Sequence, residues 1–285
     1  MSLSPEGNGT PSALREQFTD SGFIVLPGLI PESLRTRLTP EVDHWVDGGL
    51  RSRSIAACVD PAPGPGPGPG PGNGTRPDAD PGPELDGPPP LMELELPAHG
   101  ELLTHEPLLR MIADLMDAPF VFHHLHSDRH GPGIPGKSWH HDREPNDQDD
   151  PKLLMVHALH YLGGLDGTIG SLVVVPGSHR EPWGKSALSH LGSAELPGEV
   201  VVDALPPGST VLVNSGLLHA RRPAPSPPGA SPRYFVDACY CQTGARWRPV
   251  KPYWRHMLAR ARALGLDGGR WPELFAERHF SPYAR

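Results

Sequence analysis

Between residues 120 and 241 the chain is a succession of short apolar runs broken by Gly- and Pro-rich turns, and few folds tolerate that pattern. The runs occupy residues 120–126, 153–162, 171–175, 199–202, 210–214 and 234–241. Each has the length of a strand, and no long helical pattern lies between them. Residues 23–27 (Phe-Ile-Val-Leu-Pro) add a further buried strand near the start, and 91–96 (Leu-Met-Glu-Leu-Glu-Leu) alternates like another. Helical spacing is confined to the flanks. Residues 12–20 read as a helix capped by Ser12 and ending at Gly22. Pro31 opens a second helix whose apolar positions are Leu34, Leu38, Val42 and Trp45. Residues 105–116 carry a stripe from Leu108 to Met116, and a last helix is expected from about Tyr253 to Leu264. The expected fold is therefore mainly β with flanking helices, a jelly-roll, cupin-like barrel with the helices packed on one side.

Chemistry-bearing residues fall on or beside these strands. In Trp139-His-His-Asp142, an extended backbone directs His140 and Asp142 to one face and His141 to the other. Two imidazoles and one carboxylate form the facial set that suits iron(II) and leaves coordination positions open. The second imidazole is His219, which follows an apolar strand and a Gly turn in Pro207-Gly-Ser-Thr-Val-Leu-Val-Asn-Ser-Gly-Leu-Leu-His219. Arg233 opens the last apolar run, Tyr-Phe-Val-Asp-Ala-Cys-Tyr. An Arg pointing into an apolar barrel needs an anion, and its planar fork matches a carboxylate. Arg221 and Arg222 are alternatives for that role. Arg143 reads as a rim residue. His124 and His126 share a strand face and read as pocket-lining residues rather than as a second metal site. The turn Pro176-Gly-Ser-His-Arg180 reads as structural, with no catalytic part for His179.

Composition narrows the rest. The 285 residues suit one domain spanning 1–285. Of the 38 Pro and 33 Gly, many fall between residues 61 and 90, where 63–72 is a strict Pro-Gly alternation. A period of two is not the collagen period of three, so about 60–90 is expected to be a mobile inserted loop. A net charge of −8 argues against a general binder of nucleic acid or of anionic membranes. Cys58, Cys239 and Cys241 make no disulfide framework or zinc pattern. No stretch approaches the roughly 20 apolar residues of a membrane span. A soluble, unexported, cytoplasmic protein is expected.

These pieces, in this order, resemble the phytanoyl-CoA dioxygenase family of iron(II)/2-oxoglutarate-dependent oxygenases. The matching segments are Gly22-Phe-Ile-Val-Leu-Pro-Gly-Leu-Ile, Trp139-His-His-Asp142, Gly170-Ser-Leu-Val-Val-Val-Pro-Gly-Ser-His-Arg180, residues 207–219 and Arg233. The resemblance implies a double-stranded β-helix with Fe(II) on His140, Asp142 and His219. It places the distal carboxylate of 2-oxoglutarate on Arg233 and makes O2 the oxidant. It further implies oxidation of a small-molecule substrate with release of succinate and CO2. Related halogenases replace the carboxylate ligand by a small residue, so Asp142 favours hydroxylation or another reaction that begins by hydrogen abstraction. Composition and family together suggest natural product biosynthesis. The stretch between His219 and Arg233 is longer than the family pattern leads one to expect. Two rival readings share the barrel: a metal-dependent cupin-type enzyme that uses no 2-oxoglutarate, and a non-catalytic binding module.

Overall fold

The computed structural model describes residues 10–58, 91–148, 150–182, 184, 188, 190–224 and 231–283. The expected insertion at about 60–90 lies outside the described residues. Two helices, α1 (Pro11–Ser21) and α2 (Glu32–Asp47), flank strand β1 (Phe23–Leu26), and α3 (Leu50–Cys58) follows. Next come α4 (Pro97–Leu103) and α5 (Glu106–Met116). Eight strands follow: β2 (Phe120–His130), β3 (Lys137–His140), β4 (Met155–Tyr161), β5 (Leu172–Val174), β6 (Val200–Val202), β7 (Ser209–Asn214), β8 (His219–Arg221) and β9 (Arg233–Gln242). Helix α6 (Trp254–Ala263) comes after them.

The strands form two antiparallel sheets, one in the order β1-β7-β4-β9-β2 and one in the order β3-β8-β5-β6. The period of two explains how they pack. In β7, Val211 and Val213 join Phe23 and Leu159 in an apolar layer against Leu172 and Val174 of the smaller sheet. Leu212 between them turns the other way, with Val156, Ala158 and Val236, onto Leu34, Leu38, Leu109 and Ile112 of the helices. Both faces of the larger sheet are thus covered, and its strands read as nearly continuous apolar runs. This is a double-stranded β-helix, a jelly roll with helices on one outer face, as the strand pattern predicts. No helix among the described residues is long and apolar enough to cross a membrane.

Three local expectations need correction. Residues 91–96 are not a strand: Glu93–Glu95 form a turn of 3-10 helix leading into α4. The Glu95 carboxylate accepts the Met92 N–H at 2.7 Å and pairs with Arg260 at 2.5 Å, which holds the turn, while Met92, Leu94 and Leu96 are all buried. The cap of α1 is Thr10 rather than Ser12, since the Thr10 hydroxyl accepts the Ala13 N–H. Strand β3 stops at His140, so Asp142 is not on the same strand.

Gly22 ends α1 with φ of 83°. A Cβ there would lie 2.4 Å from His179 Nδ1. The turn that carries His179 therefore clamps the start of the chain: His179 Nε2 meets the Thr19 carbonyl at 3.1 Å and Arg180 meets Asp20 at 3.0 Å. Ser178 Oγ accepts the Leu218 N–H at 2.8 Å, one residue before His219.

Candidate metal centre

His140 ends β3, His219 begins β8, and the two residues are partners in the ladder between these strands. Their rings lie 4.1 Å apart. Asp142 reaches them from just beyond β3 because its backbone N–H donates to the Ser215 carbonyl at 2.8 Å. That bond turns the carboxylate toward the rings, with Oδ1 3.7 Å from His140 Nε2 and Oδ2 3.3 Å from His219 Nε2. The other nitrogens are committed. His140 Nδ1 donates to the Ser138 carbonyl at 2.7 Å and His219 Nδ1 to the Leu217 carbonyl at 3.0 Å. A carbonyl only accepts, so each Nδ1 carries hydrogen and each Nε2 is turned to the shared centre.

This arrangement fits a metal ion. His140 Nε2 is buried and has no hydrogen-bond partner. Burial, and then the neighbouring His219, push the His140 pKa down to about 3, so the ring is neutral. Burial opposes ionisation of Asp142, but the charge and hydrogen bond of His219 outweigh it and hold the carboxyl well below its usual range. Neutral imidazole and ionised carboxylate are the ligand forms a divalent cation requires.

The three donors face a cavity of about 530 Å³ between the sheets. Arg233 lines it from the first position of β9 and is only 5% exposed. Its Nη2 donates to the Tyr161 hydroxyl at 3.2 Å, and its guanidinium lies over the Tyr161 and Phe235 rings at 5.0 and 5.6 Å. Arg233 Nε is buried without a partner, which leaves donor capacity for an anion. Of the two alternatives, Arg222 is committed elsewhere, gripping Glu199 at 2.5 Å beside the Trp139 ring. Arg221 does line the cavity, held by His130 Nδ1 at 2.6 Å and the Pro135 carbonyl at 2.9 Å.

His124 and His126 both line the cavity, but they meet different groups. His126 approaches Asp128 at 3.8 Å, whereas His124 faces Asp237 at 4.0 Å. Sequence reasoning missed Tyr161, His157 and Asp237, which all line the same cavity. A signal for them was present. Each is a polar residue at an inward position of an otherwise apolar strand.

No family model matches the sequence, and no curated protein does. Solved structures do match. The chain resembles the non-haem alpha-ketoglutarate-dependent epimerase SnoN from nogalamycin biosynthesis at a TM-score of 0.57 and 18% identity, over 84% of this chain and 85% of that one. It resembles EctD from S. alaskensis, solved with 2-oxoglutarate and 5-hydroxyectoine, at 0.57 and 16%, over 87% and 81%. HygX from Streptomyces hygroscopicus, with nickel and 2-oxoglutarate bound, matches at 0.55 and 19%, over 85% and 88%. The fold is shared with 2-oxoglutarate-dependent enzymes. At these identities the likeness concerns the fold, and the residues of the site speak for themselves.

Proposed function

We propose that the chain is an iron(II)- and 2-oxoglutarate-dependent oxygenase that oxidises a C–H bond of a small-molecule substrate, working as one domain with residues 60–90 as an insertion. One observation carries the reading. The converging donors of His140, Asp142 and His219 open into the same cavity as a buried Arg with unused donor capacity. In this reading His140, Asp142 and His219 hold Fe(II), and Arg233 with Tyr161 holds the distal carboxylate of 2-oxoglutarate. Bound iron, with 2-oxoglutarate and O2, supplies the oxidising chemistry and yields succinate and CO2. The protein supplies position. The carbonyls of Ser138 and Leu217 fix both imidazole rings, Ser215 aims Asp142, and apolar Leu159, Leu172 and Phe235 on the cavity wall limit the entry of water. The fold likeness to SnoN, EctD and HygX supports this class, and the origin of SnoN in nogalamycin biosynthesis supports a natural-product substrate. A cupin-type enzyme without 2-oxoglutarate would leave the Arg233 charge buried with no anion to meet.

The test is direct. Under anaerobic conditions, Fe(II) and 2-oxoglutarate together should produce the weak visible charge-transfer band of the ternary complex. In air the protein should form succinate. His140→Ala and Asp142→Ala should each abolish both signals. A variant that kept its band and its metal would refute the triad.

A further inference from the structure

On the wall of the cavity formed by the larger sheet, a second group of donors is arranged with its own supports. The register of β2 against β9 shifts between Phe122 and His124, and the side chains of consecutive residues His123 and His124 meet there, Nδ1 to Nδ1 at 2.7 Å. His123 Nε2 lies 3.0 Å from the Arg248 carbonyl, which can only accept, so His123 carries its hydrogen on Nε2. A neutral imidazole carries one hydrogen, so the His123 Nδ1 is a bare lone pair. The hydrogen between the two rings therefore sits on His124 Nδ1. With that hydrogen on Nδ1, the Nε2 of a neutral His124 is a bare lone pair as well.

That lone pair faces Asp237 Oδ2 at 4.0 Å. Two acceptors confront each other with no hydrogen to place between them. On the other side of Asp237, His157 Nδ1 lies 2.9 Å from the same oxygen, and His157 Nε2 lies 3.6 Å from Cys239 Sγ. One donor atom from each of His124, His157 and Asp237 lies within 4.8 Å of the other two. The three residues stand on β2, β4 and β9, which are neighbours in the sheet, so their spacing is set by rigid strands.

We propose that His124, His157 and Asp237 form a second transition-metal site in the cavity, with zinc(II) as a suitable ion. Two imidazoles and a carboxylate, with a thiol alongside, match zinc better than magnesium or calcium, which prefer oxygen. The metal takes His157 Nδ1 in place of its hydrogen, and the ligand ring is the neutral tautomer with its single hydrogen on Nε2. The Nε2–H of His157 then points at Cys239 Sγ, and His123 serves as the outer support that fixes the His124 ring. All three residues line the cavity, so an oxygen ligand from it would complete the set. The site is independent of the role proposed for His140, Asp142 and His219.

The experiment is a titration of the metal-free full-length protein with Zn(II) and with Co(II), read by equilibrium dialysis with metal analysis and by cobalt d–d bands. Wild type should bind two equivalents. His124→Gln and Asp237→Asn should each bind one and lose one set of cobalt bands, and the double variant of His140→Ala with Asp142→Ala should bind one and keep that set. His123→Ala should weaken the second equivalent at least tenfold and leave the first unchanged. Histidine side-chain 15N shifts in wild type need no variant: His124 and His157 should move with one equivalent, His140 and His219 with the other. One equivalent in wild type, with His124 and His157 unmoved, overturns the proposal and leaves the pair as acceptors for a substrate hydroxyl. Two equivalents that survive both His124→Gln and Asp237→Asn overturn it too. If the His140 and Asp142 double variant still binds two, the first site is wrong and the second stands.

Discussion

Arg233 is a buried cation with no carboxylate partner among the described residues; its one side-chain hydrogen bond goes to the Tyr161 hydroxyl. If 2-oxoglutarate supplies the missing charge, Arg233→Ala leaves a buried anion unpaired. That costs on the order of 2–5 kcal/mol, or roughly 30- to several-thousand-fold in affinity. The expected result is a rise of that size in the 2-oxoglutarate concentration for half-maximal succinate formation, with iron content unchanged. Arg233→Lys should recover part of the loss, because an ammonium cannot present two parallel donors. Arg222→Ala should leave half-saturation where it was, since its fork is occupied by Glu199. An unchanged value for Arg233→Ala would remove this role and direct attention to Arg221. At this scale the sequence was informative where a residue type is rare in its surroundings. Two His and one Asp beside turns, and an Arg at the head of an apolar strand, could be read directly. His157 and Asp237 carried only a weaker signal, because a polar residue within a strand does not announce which partners the neighbouring strands will bring. His140 and Asp142 converge for a different reason from the one the spacing suggests: strand β3 has ended, and the Ser215 carbonyl supplies the orientation.

Among elements, the strands were legible because both faces of the larger sheet are covered, so each reads as an apolar run between turn residues. Residues 91–96 misled for the same reason. Their apolar positions are buried against helices, but the carboxylate of Glu95 ties them into a turn through a contact with Arg260, far away in the sequence. The junction of α1 and β1 depends in the same way on a distant segment. Gly22 has a left-handed φ, and the space beside it is filled by His179. Gly22→Ala should therefore lower stability by about 1–3 kcal/mol, combining backbone strain with the clash. On a His179→Ala background the clash with the ring disappears while the strain and the tight approach to Leu217 Cδ1, at 2.8 Å, remain, so the loss should be smaller. Urea midpoints of the four proteins in this cycle check it; equal losses on both backgrounds would mean that the ring is not the obstacle.

For the molecule as a whole, buried neutral rings make stability depend on pH. His160 is fully buried on β4, shares a 2.8 Å hydrogen bond with Thr210, and has its pKa pushed down to about 3 by burial. The unfolded chain takes up a proton near the ordinary value of 6.5 and the folded ring does not. Below 6.5 the unfolded state thus binds more protons, and stability falls as pH drops toward 3, by up to about 1.4 kcal/mol per pH unit from this ring. His160→Gln removes that titration. Its stability should fall by about 2 kcal/mol less than that of wild type between pH 7 and pH 5. Parallel curves would show that the ring does not titrate as described. The topology has a further consequence, in the order of events during synthesis. Strand β9 lies between β4 and β2 in the larger sheet, yet it is the last strand to be made. Until residue 242 has left the ribosome, β2 has no neighbour in its sheet, and neither Arg233 nor Asp237 has reached the cavity. Closing contacts between segments so far apart in the chain is slow. A ribosome paused before the final strand would therefore display a half-built sheet with its inner faces open, and cellular protection in that interval should matter more for yield than the stability of the finished fold.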